Sequence, residues 1–145
     1  MDVLDVKVSV EPNASAADIE TVKAGLRAFD NAAIGETVIE PVNVFLRDES
    51  GQIVGGLTGH VAWQWVYVAI LWVSEAHRDT GHGAALLTAA EELGRSRGCV
   101  GIHVHTLEHQ ARPFYERHGY ERIGTLEGYP PGSRSFHLAK RLAGG

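Results

Sequence analysis

Two clusters in this sequence carry groups that bind ligands or move protons. The first is Arg78-Asp79-Thr80-Gly81-His82-Gly83, which stands between an apolar run and a long amphipathic stretch. Two glycines one residue apart at a helix start leave several backbone N–H groups unshielded by side chains. Those orphan donors, with the positive end of the helix dipole, suit a pyrophosphate. Arg78 sits just outside the turn and adds a charge-assisted hydrogen bond. A tight strand-to-helix turn with no ligand shows the same pattern, and the turn alone does not separate the two readings. The second cluster is His103, His105 and His109. His-x-His on a strand puts both imidazoles on one face. A third histidine four residues on suggests a zinc site, and with it a zinc-binding hydrolase. No cysteine or close aspartate joins the set, and His109 falls at a helix start that need not face the strand. Metal is therefore the lesser reading.

The framework around these clusters follows from periodicity. Val3 to Val10 alternates over its second half and reads as a strand. Ser15 and Asp18 form a capping box, and Ile19, Val22, Leu26 and Phe29 then recur at helical spacing, so a helix is predicted from about Ala16 to Phe29. Asp30 to Pro41 is aperiodic and reads as a loop. Val42–Arg47 and Gln52–Thr58 read as strands joined by the turn Asp48-Glu49-Ser50-Gly51, with Gly55 and Gly56 marking a bulge or a close backbone approach. Val61 to Val73 contains the end of one strand and a buried central strand. The glycine turn opens a helix striped by Leu86, Ala89, Ala90 and Leu93, with Gly98 as its C-cap. Val100–Thr106 is a strand, Leu107–Arg117 a short helix, and Tyr120–Leu126 and Ser135–Leu142 are strands joined through Tyr129-Pro130-Pro131-Gly132. The order β-α-β-β-β-α-β-α-β-β implies an α/β (α+β) fold with a mixed sheet, not a doubly wound one.

Composition narrows the function classes. A chain of 145 residues is expected to form one domain, 1–145, and needs no disulfide or metal to fold. The single cysteine, Cys99, excludes an internal disulfide and reads as a buried, inert thiol suited to a reducing compartment. A net charge of −5 argues against a nucleic-acid surface. Asp2 and Asp5 stand where a signal peptide would be basic, and the apolar run Val61–Val73 is too short for a membrane span. The expectation is a soluble, cytoplasmic protein with no membrane partner.

Two blocks together resemble the GNAT superfamily of acyl-CoA-dependent N-acyltransferases over nearly the whole chain. Leu71-Trp72-Val73 followed by Arg78-x-x-Gly81-x-Gly83 is similar to the family's Q/R-x-x-G-x-G/A signature with its strand and helix. About thirty residues on, Ala111-Arg112-Pro113-Phe114-Tyr115-Glu116-Arg117-His118-Gly119-Tyr120 resembles the A-x-x-x-Y-E-K-x-G-F/Y block, closest to small bacterial members with an F-Q-A-x-x-F-Y-x-x-x-G-Y ending. The resemblance implies a largely antiparallel central sheet with a V-shaped split between two parallel strands, here Val66–Val73 and Val100–Thr106, and helices on both faces. It implies acetyl-CoA as co-substrate, with no metal. The pantetheine would pair with the backbone of Leu71 and Val73. The pyrophosphate would sit on the N–H groups around Asp79, Gly81, His82, Gly83 and Ala84, beside Arg78. The activity implied is acetyl transfer to a primary amine, of the EC 2.3.1 type.

Such a transfer needs an unprotonated amine, a donor for the developing oxyanion and a proton for the departing sulfur. Tyr115 matches the family tyrosine that protonates the sulfur, and a phenol stays protonated at neutral pH. A backbone N–H near Leu71 to Val73 would serve the oxyanion. The base departs from the family pattern. Ala69 stands where many similar proteins carry Asp or Glu, and His105 where they often carry Asp. His105 is the candidate base because imidazole titrates near neutrality, and Glu108 is second. Trp63, Trp65, Phe45 and Tyr129 are candidate acceptor-pocket residues, and Glu36 and Glu40 are either ammonium attractors or solvated loop charges. A small-molecule amine is favoured as acceptor, and a homodimer is compatible with the Trp-rich edge. A non-catalytic acyl-CoA-binding sensor is the alternative that the missing acid at Ala69 keeps open.

Overall fold

The computed structural model describes residues 5–110 and 112–142. The chain divides into two compact units, the first ending at Thr37 and the second starting at Val38. In the first unit the main element is helix α1 (Ala16–Ile34). Ser15 caps it, its side chain accepting from the Asp18 amide at 3.1 Å, and Gly35 ends it with φ of 85°. The helix therefore runs more than one turn past Phe29, into the segment that reads as aperiodic. Ala32, Ala33 and Ile34 supply no second apolar repeat, but nothing before Gly35 breaks a helix. The alternation of Val6, Val8 and Val10 does not produce a strand: residues 5–10 have no ladder partner among the described residues. Val3, where that strand is predicted to begin, lies outside the described residues, as does Ala111 of the second block.

The second unit is built on a six-stranded sheet in the order β1-β2-β3-β4-β6-β5. The strands are β1 (Glu40–Arg47), β2 (Ile53–Ala62), β3 (Trp65–Val73), β4 (Gly101–Leu107), β5 (Glu121–Glu127) and β6 (Arg134–Arg141). Every neighbouring pair is antiparallel except β3 and β4. Helix α2 (His82–Ser96) provides the crossover between those two, and a short helix α3 (Arg112–Arg117) links β4 to β5. Period-2 alternation divides the sheet into two faces. Val66 and Val68 of β3, Ile102 and Val104 of β4 and Phe136 and Leu138 of β6 lie with Leu86, Leu87 and Ala90 of α2 in one core. The opposite face carries Trp65, Tyr67, His103, His105 and His137. Trp63 and Gln64 form the β2–β3 turn with positive φ, so Trp63 falls outside the alternation of the strands.

The predicted split is present. β3 and β4 pair only from Trp65↔Gly101 to Val68↔Val104. Beyond that point β3 continues on β2 alone and β4 on β6 alone. The cause is local. Thr58 pairs with Ile70 and Gly59 with Val68, which leaves Ala69 as an extra residue, a β-bulge that bends β3. Gly59 makes this possible, because a Cβ there would stand 1.8 Å from the Tyr67 carbonyl oxygen. Gly55 and Gly56 mark close approaches, to the Trp72 carbonyl and the Phe45 ring. The helix predicted over Leu107–Arg117 forms only from Arg112, because β4 runs on to Leu107 and a turn follows. α2 ends as expected, with Gly98 one place past the C-cap residue Arg97. Cys99 donates to the Gly94 carbonyl and Gly98 to that of Arg95, a pair of bonds that satisfies the last carbonyls. Cys99 itself is buried, and burial pushes its thiol pKa up.

Candidate active site

A cavity of about 1000 Å³ opens where β3 and β4 part. Its strand walls are Ala69–Val73 of β3 and Val104–Thr106 of β4. Arg78, Asp79 and the first turn of α2, Gly81 to Ala84, form one end, and Phe114 and Tyr115 of α3 stand across from it. All ten residues assigned to donor binding or catalysis from the sequence line this one space: Leu71, Val73, Arg78, Asp79, Gly81, His82, Gly83, Ala84, His105 and Tyr115.

The glycine turn has the properties an anion needs. Gly81 is the N-cap of α2 with φ of 86°, a left-handed conformation that side-chain-bearing residues adopt only at a cost. It offers no side chain to cap the helix, and the first helical amide that finds an intrahelical acceptor is Ala85, bonded to the Gly81 carbonyl. The amides of His82, Gly83 and Ala84 precede it and are the orphan donors of the helix start. A Cβ on Gly83 would meet only the Phe114 ring, at 3.6 Å, so the bare glycine leaves these donors open. Arg78 is anchored beside them, its Nε donating to the Val73 carbonyl at 2.9 Å. That contact ties the glycine turn to the end of β3.

Tyr115 is only 3% exposed. Its ring meets those of Phe114 and Tyr120 edge-on, and burial pushes its pKa up to about 12, so the phenol holds its proton across the physiological range. Behind it lies a buried polar network. The Tyr120 hydroxyl donates to Glu91 at 2.7 Å, and Lys140 Nζ donates to the other Glu91 oxygen at 3.1 Å. Glu91, on α2, is thus satisfied despite being 6% exposed.

A second cavity, of about 460 Å³, is lined by Tyr67, Leu107, Leu126, Tyr129 and Ser135. His105, Thr106 and Gln110 line both cavities, so the two spaces meet at the parting of the strands. His105 Nδ1 lies 3.2 Å from the Tyr67 hydroxyl, and its ring stacks on His137 with centroids 4.0 Å apart at 19°. His103 Nδ1 lies 2.8 Å from His137 Nε2. Burial above all, then the neighbouring His137, His105 and His60, lowers the His103 pKa to about 4; His137 is lowered too, by burial and by His105.

Several sequence-based expectations change at this point. His109 does not join His103 and His105; it lies past the end of β4 and lines the large cavity. The third histidine of that group is His137, brought opposite His105 by the β4–β6 register. Among the described residues no set of three His, Cys, Asp or Glu side chains is arranged for a metal ion. Glu108 lines neither cavity: Ser133 Oγ donates to its carboxylate at 3.0 Å, and Arg134 lies 3.6 Å away. Glu40 is held by the Arg97 guanidinium at 2.9 Å, which keeps its carboxyl below the usual pKa. Of the aromatic acceptor candidates Tyr129 lines the smaller cavity, and Phe45, Trp63 and Trp65 line neither of the two; Trp65 packs over Gly101 and beside His103.

Residues 20–120 match the model of the acetyltransferase (GNAT) family. An acetyltransferase of Agrobacterium fabrum is 39% identical over 129 residues, covering 87% of this chain and 94% of its own. The blasticidin-S acetyltransferase of Streptomyces morookaense is 40% identical over 119 residues, covering 81% of this chain and 88% of its own. The crystal structure of an acetyltransferase from Bacillus cereus superposes with a TM-score of 0.82 at 30% identity, covering 92% of this chain and 98% of that one. The split sheet, the glycine turn at the helix start and these likenesses define the class as an acyl-CoA-dependent acyltransferase. The chain belongs to the GNAT family of acetyltransferases.

Proposed function

We propose that this protein transfers an acetyl group from acetyl-CoA to a primary amine on a small molecule. The observation that carries this reading is the meeting of two cavities at His105, Thr106 and Gln110. One cavity carries the anion turn; the other is smaller and walled by Tyr67 and Tyr129. The volume of the second, about 460 Å³, suits a small molecule rather than a folded partner. The likeness to a blasticidin-S acetyltransferase supports an antibiotic-like amine as the substrate class.

The donor cavity fits acetyl-CoA. The open amides of His82, Gly83 and Ala84, with Arg78, would hold the pyrophosphate, and the unpaired edge of β3 at Leu71 and Val73 would take the pantetheine. When bound, acetyl-CoA supplies the activated acyl group. His105 takes the proton from the ammonium form of the amine, leaving a lone pair for the new C–N bond. Tyr115 gives its hydroxyl proton to the sulfur as the C–S bond breaks, and the second amine proton restores that phenol through solvent. Removing a proton-transfer group of this kind costs about 100-fold or more in rate.

The test is a screen of small amines, blasticidin S included, with acetyl-CoA, reading released thiol. Thiol release that needs both substrates and is lost in Tyr115→Phe supports the proposal. Tight acetyl-CoA binding without thiol release on any amine would overturn it in favour of an acyl-CoA sensor.

A further inference from the structure

His105 is gripped from two sides by the strands that flank β4. On one side Tyr67 of β3 reaches across with its hydroxyl 3.2 Å from Nδ1. On the other, His137 of β6 lies flat against the ring, 4.0 Å between centroids. His137 is in turn fixed by His103, its Nε2 at 2.8 Å from His103 Nδ1. Stacking sets the plane of the His105 ring, and the phenol sets which nitrogen lies against β3.

The groups facing this cluster are few. Tyr67 and His60 come from β3 and β2, His103 and His105 from β4, and His137 from β6; the His60 ring lies 5.4 Å from that of Tyr67. Among the described residues none of these imidazoles is salt-bridged to a carboxylate. A working imidazole is often oriented by a carboxylate or a carbonyl on its other nitrogen. Here a phenol occupies that place, and a second imidazole lies flat on the face of the ring. A neutral imidazole has one donor nitrogen and one acceptor nitrogen, and only the acceptor can take a proton.

We propose that Tyr67 and His137 are positioning residues for His105: the phenol oxygen accepts from Nδ1–H, and the stack holds the ring so that Nε2 is the nitrogen that takes the amine proton. This rests on the reading of His105 as the base. In this arrangement the phenol oxygen is the acceptor and its own proton is left for the smaller cavity, which Tyr67 also lines. One proton leaves the ammonium and one arrives at Nε2; Nδ1 keeps its own, so the clamp moves no net charge.

The experiment pairs kinetics with histidine tautomer assignment by two-bond 1H–15N NMR on the full-length protein. In the unaltered protein His105 is expected as the Nδ1–H tautomer. Tyr67→Phe should shift it to a mixture or to Nε2–H and lower kcat about tenfold, with the KM for acetyl-CoA unchanged because Tyr67 lies outside the donor cavity. His137→Ala should lower kcat similarly, and His137→Phe, which keeps a flat ring, should recover most of the loss. A His105 that shows the Nε2–H tautomer in the unaltered protein, or that keeps both tautomer and kcat in Tyr67→Phe, overturns the clamp. His105→Ala separates the two claims. If that variant keeps full kcat, the base assignment fails whatever the spectrum shows, and the clamp has no catalytic purpose.

Discussion

The first halves of β3 and β4 and their second halves are built from similar residues and do opposite things. From Trp65 to Val68 the two strands are joined, and Val66, Val68, Ile102 and Val104 are buried to 3% exposure or less. From Ala69 onward the same strands share no ladder pair, and Ile70 and Trp72 are 60% and 49% exposed. One residue, the extra Ala69, separates the two regimes. The gap is therefore not a loop added to the sheet. It is a place where pairing stops, which leaves backbone donors and acceptors for a ligand that can act as a strand.

Four perturbations probe the joined and parted halves. The largest effect is expected from Tyr115→Phe, on the parted side. It removes the proton held on the buried phenol, and kcat should fall about 100-fold or more while acetyl-CoA binding by calorimetry stays near its original value. Next is Glu91→Ala, which strips the partner from Lys140 and from the Tyr120 hydroxyl behind Tyr115. Stranding the partners of a buried carboxylate should cost about 2–3 kcal/mol, the lower end reflecting the partial exposure of Lys140, to be read from urea unfolding. Third is Gly59→Ala. With a carbonyl oxygen 1.8 Å from the new methyl group, the bulge must shift. Overpacking of this kind costs about 1–3 kcal/mol. Because the bulge makes the gap, affinity for coenzyme A should fall along with stability.

The smallest effect belongs to the joined side, where His103 stands. Its pKa is about 4 in the fold against 6.5 ordinarily. Between those values the unfolded chain binds a proton that the folded one does not. Stability therefore rises with pH through this window and is lost as pH falls from about 6.5 towards 4, with no further loss from this group below that. His103→Asn should flatten this part of the stability–pH curve measured by thermal unfolding.

The glycine turn at the start of α2 is legible in the sequence because its determinants are local. Two glycines, an adjacent arginine and a following helix carry their chemistry in one short stretch, and all ten assigned residues line one cavity. The split is legible only through resemblance, since periodicity shows that Val66–Val73 is a strand but not where its pairing ends. What stays hidden in the sequence is non-local. His137 lies 32 positions after His105, and only the β4–β6 register sets the two rings against each other. Alternation along Ser135, Phe136 and His137 is enough to find the face of His137, but not its neighbour. Residues 5–10 show the converse: alternation is present, and among the described residues no partner strand uses it.

Everything proposed for this site depends on coenzyme A filling the gap that opens past Val68 and Val104. A crystal structure of the protein with coenzyme A decides it. The pyrophosphate is expected on the amides of Gly81 to Ala84 and the pantetheine alongside Leu71 and Val73, with its sulfur near Tyr115. Coenzyme A bound elsewhere, or β3 and β4 paired through Val73 and Leu107, would contradict it.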